Sequence, residues 1–557
     1  MIVKITTTST LENDDVFNLD SKLHELSRSG ELKVEGNSEC LKQVAICLEC
    51  HTSTAAQRKN ATAFLEDLAR ADDNQVPMFK LDGLMNAVVK AAGGGGDAQV
   101  KALAVLQNLS FADDNSVPMF KLDGLMNAVV KAAGGGGDAQ VEALGVLRNL
   151  AVSADNKVPM FKLDGLMNAV VKAAGGGGDT QVNALAVLQN LACADDNSVP
   201  MFKLDGLMNA VVKAAGGGGD AQENSLAVLQ NLAVAADNHV GLASFPSLLP
   251  TVTDVLSKDG QTEESRIDAV VILANLAKSP ESARTLLTPP YLEKVILPML
   301  DILKKAGPDP TKWKKGNSPE SWANTFFMNA AQHDFALIPL RTRGVVEHLE
   351  PLLKINHYES LKASATIAYL VGGDAEGDKL ELLKSATSSI DRIIDLLSNT
   401  LNLKGGQGYK YGVFPLHSSV RAISILATND DLKKYLLTSD KAVLILLVRV
   451  LREFVSDTGG GSAGGGGKDK LSAELAASAL LKLAPNQNDD EVLDLLAKVK
   501  TKSKKSRKRK ASDVEDVVKI KQENDNIKSE PVVDDDTTDD EEEYEREEGR
   551  RGRRRKN

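Results

Sequence analysis

Apolar and polar positions along this chain repeat with a period of 41 residues. The block VPMFKLDGLMNAVVKAAGGGGD occurs four times without a change, beginning at Val76, Val117, Val158 and Val199. A unit of this length cannot bury its own apolar face, so successive units must stack and share one continuous core. The pattern therefore predicts a solenoid of helical units rather than the roughly three or four compact domains that the chain length alone would suggest.

Each unit predicts three helices. Asn115 and Ser116 are expected to cap a short first helix, and Gly124 allows a sharp corner after it. The segment 125–133 forms an amphipathic second helix. Asp138 is the expected N-cap of a third helix, which is apolar nearly all round and should be the most buried helix of the unit.

The end of the third helix has the pattern L-x-N-L-A, and a unit built in this way resembles the armadillo repeat family. The resemblance is carried by LQNLS at 106–110, LRNLA at 147–151, LQNLA at 188–192 and 229–233, and ILANLA at 272–277. It implies an all-α fold, a right-handed superhelical solenoid of armadillo repeats, in which the third helices line a concave groove. It also implies that this groove holds an extended segment of a partner protein.

Third-helix patterns in the same phase extend beyond the clean block, at 61–69, 321–331, 360–370, 419–427 and 473–484. We therefore predict five segments along the chain. They are a disordered or weakly ordered N-terminus at 1–35, N-terminal capping helices at 36–72, regular 41-residue repeats at 73–277, divergent armadillo-like repeats at 278–497, and a disordered basic and acidic tail at 498–557.

One asparagine per unit forms the first candidate binding row. Its members are Asn108, Asn149, Asn190, Asn231 and Asn275. In a stacked solenoid, a row of amides along the groove can pair with the backbone of an extended peptide, and the resemblance implies this role. The alternative is that each Asn caps the turn after its own helix. Lys101 and Arg148 are the cations of the same predicted surface.

Nuclear-transport adaptors of the resembled family carry a Trp four residues before that Asn, and this chain departs from their pattern. The equivalent residues are Ala104, Gly145, Ala186 and Ala227. The departure disfavours recognition of basic cargo peptides. An importin-alpha-like adaptor is therefore kept only as an alternative. The neighbouring groove positions mix Lys, Glu, Asn, Gln and Arg, and therefore set no preference for the charge of a ligand.

Composition narrows the class of protein. The net charge is −11, which argues against a chain that coats nucleic acid or anionic lipid over its whole length. Four cysteines and the absence of an apolar leader at the N-terminus favour a reducing intracellular compartment. No apolar run approaches the roughly 18 residues that would predict a membrane-spanning helix.

No motif indicates catalysis, a cofactor or a small-molecule substrate. The glycine tracts lack the G-K-[ST] ending of a phosphate-binding loop, and no Ser/His/Asp or Cys/His arrangement recurs at a suitable spacing. Cys40, Cys47, Cys50 and His51 end in a C-x-x-C-H pattern, but one helix alone is a poor zinc site, and packing of a capping helix is favoured over haem or metal. The chain is therefore predicted to be non-enzymatic and without a metal site.

The tail changes character after residue 498. A nuclear localisation signal is predicted at Lys504, Lys505, Arg507, Lys508, Arg509 and Lys510, with a merely solvated basic run or a weak nucleic-acid tether as alternatives. Lys521 and Lys528 match the consensus for SUMO attachment, and Ser512, Thr537 and Thr538 precede acidic residues as kinase sites do. The acidic run 534–548 could bind basic proteins, shield the basic run, or only solubilise the chain.

The sequence thus predicts a non-enzymatic scaffold that binds a protein or an extended peptide in its groove. It also predicts a nuclear location, with shuttling to the cytoplasm as an option, and contact with a nuclear import receptor through the basic tail. Two alternatives remain open: an importin-alpha-like transport adaptor, and a chromatin- or RNA-associated protein that acts through its charged tail.

Overall fold

The structure is a computed structural model of the chain. It describes residues 33–34, 38–50, 53–313, 317–354, 358–373, 376–384, 389–402, 416–438, 443–456, 466–485 and 490–500. The predicted nuclear localisation signal and all predicted modification sites lie outside these residues.

Each regular unit consists of three helices joined by short turns. Two helices precede these units, α1 at Ser38–Glu49 and α2 at Ala55–Ala69. The first helices of the four regular units are α3 (Asp72–Phe79), α6 (Asp113–Phe120), α9 (Ala154–Phe161) and α12 (Asp195–Phe202). The second helices are α4 (Leu84–Ala92), α7 (Leu125–Ala133), α10 (Leu166–Ala174) and α13 (Leu207–Ala215). The third helices are α5 (Gly96–Leu109), α8 (Asp138–Leu150), α11 (Gly178–Ala192) and α14 (Gly219–Leu232).

The later part of the chain continues in the same way, with less regular lengths. Its helices are α15 (His239–Ser244), α16 (Leu248–Ser257), α17 (Glu263–Leu276), α18 (Pro280–Leu286), α19 (Leu292–Ala306), α20 (Pro319–Ala330), α21 (Asp334–Arg341), α22 (Val345–Leu349), α23 (Tyr358–Val371), α24 (Asp378–Lys384), α25 (Ser389–Asn402), α26 (Leu416–Leu426), α27 (Asp430–Thr438), α28 (Val443–Ser456) and α29 (Gly466–Leu483). Short 3-10 helices lie at Ala236–Asn238, Pro310–Lys312 and Glu350–Lys354, and residues 490–500 are helical.

The corner between the first and second helices depends on a left-handed backbone. Gly124 and Gly165 both have a φ of 73°, a conformation that glycine adopts at little cost. Ser247 occupies the equivalent corner before α16 and keeps nearly the same conformation, with a φ of 67°. The corner geometry therefore persists where the sequence has lost its glycine.

The predicted caps are wrong in two places. Helix α6 begins at Asp113 with Ala112 at its N-cap, so Asn115 lies inside the first turn. Helix α8 begins at Asp138, and its N-cap residue is Gly137, which makes no side-chain cap. The polar side chain of Asn115 faces inward instead, because it satisfies a buried carbonyl of the preceding helix.

The core runs along the whole array without a break. Each third helix packs against the third helices of its neighbours and against the second helix of its own unit. Met119 of α6, Leu125 of α7 and Leu147 of α8 are fully buried, which shows how all three helices of a unit reach the core. The described residues contain no strand, and the expected all-α solenoid is confirmed. Within that part of the chain, no helix has the length and apolar character needed to cross a membrane.

Candidate partner-binding surface

The predicted asparagine row links consecutive third helices. The Nδ2 atom of Asn149 donates to the backbone carbonyl of Gln107 (3.2 Å), and that of Asn231 donates to the carbonyl of Gln189 (3.1 Å). Both acceptors lie one position before the row's Asn in the preceding unit. They belong to the last turn of a helix, where carbonyls lack the regular i+4 donor and accept from side chains or capping residues instead. The Nδ2 group of each of these side chains thus joins its unit to the preceding one.

The row extends further than the sequence pattern indicated. Asn329 of α20 donates to the carbonyl of Ala274 (2.8 Å), and the Nζ atom of Lys482 donates to the carbonyl of Ser424 (2.9 Å). In both bonds the donor occupies the position of the row's Asn, and the acceptor lies one residue before that position in the preceding unit. Asn329 could not be placed in the row by its spacing, because an insertion breaks the 41-residue period there, although FFMNA matches the end of a third helix. The substitution of Asn by Lys concealed Lys482.

The remaining predicted members occupy the same position with different contacts. Asn275 is buried, and its Oδ1 atom accepts a hydrogen bond from Lys278 (2.6 Å). Asn108 is half-buried at the end of α5. The row is therefore continuous in position while the contacts of its members differ.

The two predicted cations are paired inside the array. The ammonium of Lys101 lies 2.7 Å from a carboxylate oxygen of Glu66, and the guanidinium of Arg148 donates to the Oδ1 atom of Asn183 (3.0 Å). Glu142 lies beside this group, and its pKa is raised, chiefly by burial and then by repulsion from Glu66. Each cation therefore contacts a polar or acidic side chain of a neighbouring unit. The two cations do not form a row that is available to an acidic ligand.

A second polar row runs seven residues before the asparagines. Asn183 and Asn224 donate to the carbonyls of Val141 (3.4 Å) and Val182 (3.2 Å), again one position before the equivalent residue of the preceding unit. Asp268 takes this position in α17. Burial, followed by repulsion from Glu223 and Glu264, raises the pKa of Asp268 to about 7.

Small residues separate the two rows. Ala104, Ala186 and Ala227 stand four residues before the asparagines, and at Gly145 the space is filled by the side chain of Gln107. A Cβ atom at Gly145 would lie 2.3 Å from the Nε2 atom of that glutamine. The positions between the two rows therefore carry no aromatic side chain that could form a pocket for a long basic side chain.

Buried amides at the start of the first helices form a further set of hydrogen bonds between units. The sequence patterns described above did not indicate this role. The Nδ2 atom of Asn115 donates to the carbonyls of Leu109 (2.9 Å) and Gln75 (3.1 Å). The same bonds recur at Asn156, Asn197 and Asn238. The recurrence of Asp-Asn at this point of every unit was the available signal.

Differences between the four regular units fall in the first and third helices, and none falls in the second. All 22 residues of the clean block are identical in the four copies, including the exposed Lys80 and Asn86. By contrast, the position of Lys101 holds Glu, Asn and Asn in the next units, and that of Gln107 holds Arg, Gln and Gln. Exposure alone does not explain this contrast, because the invariant positions are exposed as well.

The cysteine segment shows packing at two of its members. Cys40 and Cys47 are buried and Cys50 is half-buried, whereas His51 lies outside the described residues. In the described residues, no three His, Cys, Asp or Glu side chains are grouped to hold a metal ion.

Comparison with known proteins supports the fold. No protein-family model and no curated protein match the sequence. Among solved structures, the chain is similar to one from a study of a conserved phosphorylation switch that controls the interaction between cadherin and beta-catenin, with a TM-score of 0.64, 13% identity, and coverage of 90% of this chain and 98% of that chain. It is also similar to an engineered protein, with a TM-score of 0.53, 16% identity, and coverage of 80% of this chain and 98% of that chain. At these identities the likeness concerns the fold, an armadillo-like solenoid.

Proposed function

We propose that this protein is a non-enzymatic interaction scaffold that holds an extended segment of a partner protein along its third helices. The observation that carries the proposal is the contrast between helices: the second-helix surface is invariant, while across the four units the third-helix position of Lys101 holds three residue types and that of Gln107 holds two. A surface that reads a different part of a partner at each unit needs such variation, whereas a purely structural surface does not.

The amide row supplies acceptors to the partner. The Nδ2 atoms of Asn190 and Asn231 are committed to carbonyls of the preceding unit, which fixes the orientation of each amide. Their Oδ1 atoms have no hydrogen-bond partner among the described residues, and both side chains are half-exposed. They are therefore suited to accept bonds from the backbone N–H groups of an extended segment.

Affinity capture from nuclear and cytoplasmic extracts tests the groove. The groove variant combines Gln189→Arg, Gln230→Arg and Asn224→Lys, which introduces residues that the chain already carries at equivalent positions. The matched control combines Asn127→Arg, Asn168→Arg and Asn209→Lys on the exposed face of the second helices. We expect specific partners to be lost only with the groove variant. An identical set of captured proteins from both variants and the parent would refute the proposal.

A nuclear location, with shuttling to the cytoplasm, is the second part of the proposal, and it rests on the basic segment 504–510. Compact basic side chains on an extended strand suit the acidic pockets of an import receptor. Replacing Lys508, Arg509 and Lys510 with Ala should move a fluorescent fusion of the full chain from the nucleus to the cytoplasm. Replacing Arg551, Arg553 and Arg554 instead serves as a charge-matched control.

The charged tail also favours weak contact with nucleic acid. A tail-driven contact should weaken steeply with salt and persist in the groove variant. Capture of partners that disappear with the tail substitutions, and are unaffected by the groove substitutions, would place binding in the tail and contradict the scaffold proposal.

A further inference from the structure

An exposed apolar residue follows the third helix in successive units. Phe111, Val152 and Val234 are 56%, 60% and 60% exposed, and the exposed Cys193 occupies the same position in the remaining unit. Each stands three residues after the asparagine of its unit. A single exposed apolar side chain is ordinary, but four at one position of consecutive units form a stripe along the solenoid. We call Phe111, Val152, Cys193 and Val234 the edge row.

The space between two members of the edge row is an open cavity. Between Phe111 and Val152 it measures about 360 Å³. It is lined by these two apolar side chains and by five polar residues, Ser110, Asp113, Ser116, Asn149 and Ser153. Asn149 donates to the Oγ atom of Ser110 (3.0 Å) and Asn156 donates to that of Ser116 (3.2 Å), so part of the polar lining is already bonded within the protein.

Carboxylates accompany the edge row. Exposed aspartates stand in the first turns that follow it, and no ion pair involves them within the described part of the chain. They are Asp113, Asp114, Asp155, Asp195, Asp196 and Asp237. Two of them stand in the first turn of α6 and two in that of α12, where the helix dipole also favours acidic side chains. Lys157 of α9 offsets part of this charge.

The spacing of the edge row limits the shape of an occupant. Packed helices lie about 8–10 Å apart, so consecutive members of the row should be separated by a similar distance. A polyproline II segment has three residues per turn and rises about 3.1 Å per residue, which gives about 9 Å per turn. Every third side chain of such a segment would therefore meet the next member of the row.

We propose that the edge row binds a partner segment in the polyproline II conformation, with a large apolar residue at every third position and Lys or Arg between. The apolar side chains occupy the spaces between neighbouring members of the row, and the cations face the aspartates. Exposed ion pairs contribute little individually, so the affinity depends on apolar contacts repeated along the edge. This inference goes beyond the proposed scaffold function, although the cavity of the edge row adjoins the amide row at Asn149.

Two synthetic peptides of equal composition test the spacing. The probes are fluorescein-labelled LKPLKPLKPL and LLLLKKKPPP, and their binding to the full chain is measured by fluorescence anisotropy. We expect the first to bind about tenfold more tightly or better, because only its leucines match the row. Equal binding of the two peptides, or no binding of the first, would overturn the proposal.

Substitutions then locate the site. The edge variant combines Phe111→Ser, Val152→Ser and Val234→Ser, and its control changes three exposed apolar residues elsewhere, Leu297→Ser, Ile338→Ser and Ile445→Ser. All six side chains are exposed, so matching thermal melts should confirm that both variants fold. The edge variant should lose the preference for LKPLKPLKPL, whereas the control should keep it. Loss in both, or in neither, contradicts the proposal.

A charge test separates the edge from other acidic surfaces. Asp113→Asn, Asp155→Asn and Asp196→Asn together should weaken binding of LKPLKPLKPL about threefold or more, and the effect should shrink in high salt. The control changes three equally exposed aspartates at the second-helix corners, Asp82, Asp123 and Asp164, to Asn. If the groove variant Gln189→Arg, Gln230→Arg and Asn224→Lys abolishes binding while the edge variant does not, the peptide lies in the groove and the proposal is wrong.

Discussion

The Nδ2 atom of Asn190 donates a hydrogen bond to the backbone carbonyl of Arg148 over 3.0 Å and so connects two consecutive third helices. Asn190→Ala should therefore lower the free energy of unfolding by about 1 kcal/mol, because a helix-terminal carbonyl loses its protein donor. Asn168→Ala is the matched control, since that side chain is exposed on a second helix. Urea unfolding followed by circular dichroism should show a lower midpoint for Asn190→Ala alone. Equal midpoints would mean that the inter-helix bond contributes nothing measurable.

Asp268 should make the solenoid less stable as the pH rises. Its pKa is raised to about 7 in the folded chain, above the usual 3.8, so the folded state binds more protons between these values. Stability contributed by the neutral carboxyl is fully present below about pH 4 and is lost as the pH rises through 7. Asp268→Asn should be the more stable protein at pH 8, by about 1–3 kcal/mol, because an amide carries no charge and can donate as Asn224 does.

Thermal melts of the parent and Asp268→Asn at pH 5 and pH 8 provide the measurement. The advantage of the variant should grow between the two pH values. Asp254→Asn is the control, since Asp254 is exposed and pairs with Lys258 on the surface. A constant difference between parent and variant at both pH values would contradict the assigned burial of Asp268.

His239 should have the opposite pH dependence. Burial lowers its pKa below the usual 6.5, and its Nε2 atom lies 2.9 Å from the carbonyl of Ala233. The unfolded chain therefore binds more protons just below pH 6.5, and stability falls as the pH drops from 6.5 through the folded pKa. His239→Ser introduces the residue that Ser116 and Ser198 provide at the equivalent position, and it should remove this loss. The melting temperatures of the parent and the variant are measured at pH 7.5 and 5.5. An equal fall in melting temperature in both proteins would refute the prediction.

The left-handed corner should discriminate between Gly and other residues. Ser247→Gly is expected to stabilise the chain by about 1 kcal/mol, because serine is strained at a φ of 67° that glycine adopts freely. Gly165→Ala should destabilise it by a similar amount, about 1 kcal/mol, at a φ of 73°. Space is not the cause, since a Cβ at Gly165 would lie 3.6 Å from Val130, an ordinary contact. Opposite shifts of the urea midpoint are the expected result, and shifts of the same sign would be inconsistent with the conformational argument.

The fold could be predicted from the sequence because its information is periodic. The apolar spacing in 125–133 and the L-x-N-L-A endings specify helices and their order, and both survive in the structure as α7 and the third helices. The bonding of Asn149 could not be predicted, because the sequence does not show which neighbour a side chain on a packed helix will face. Asn115 illustrates the same limit: it looks like an N-cap, but the inter-unit packing turns it toward a buried carbonyl.

The candidate surfaces were only partly visible for a related reason. In the sequence, Lys101 has no evident acidic partner. The stacking of units brings it beside Glu66, which lies 35 positions earlier. Phe111 and Val152 continue the apolar pattern of the third helices in the sequence, yet each lies two residues beyond the end of its helix and is exposed. Pairing and exposure depend on distances between units, and these are set by three-dimensional packing.

The amide bonds between third helices run in one direction only, each unit donating to the one before it. Since donor and acceptor occupy the same two positions at Asn149, Asn190 and Asn231, these bonds do not depend on which of these units follows which. Excision of one complete period, for example 117–157, would bring Asn190 to the place of Asn149, with Gln107 as its acceptor. The solenoid can therefore be shortened or lengthened in steps of one unit, so genetic recombination between the identical blocks would yield chains that differ in length but keep these bonds.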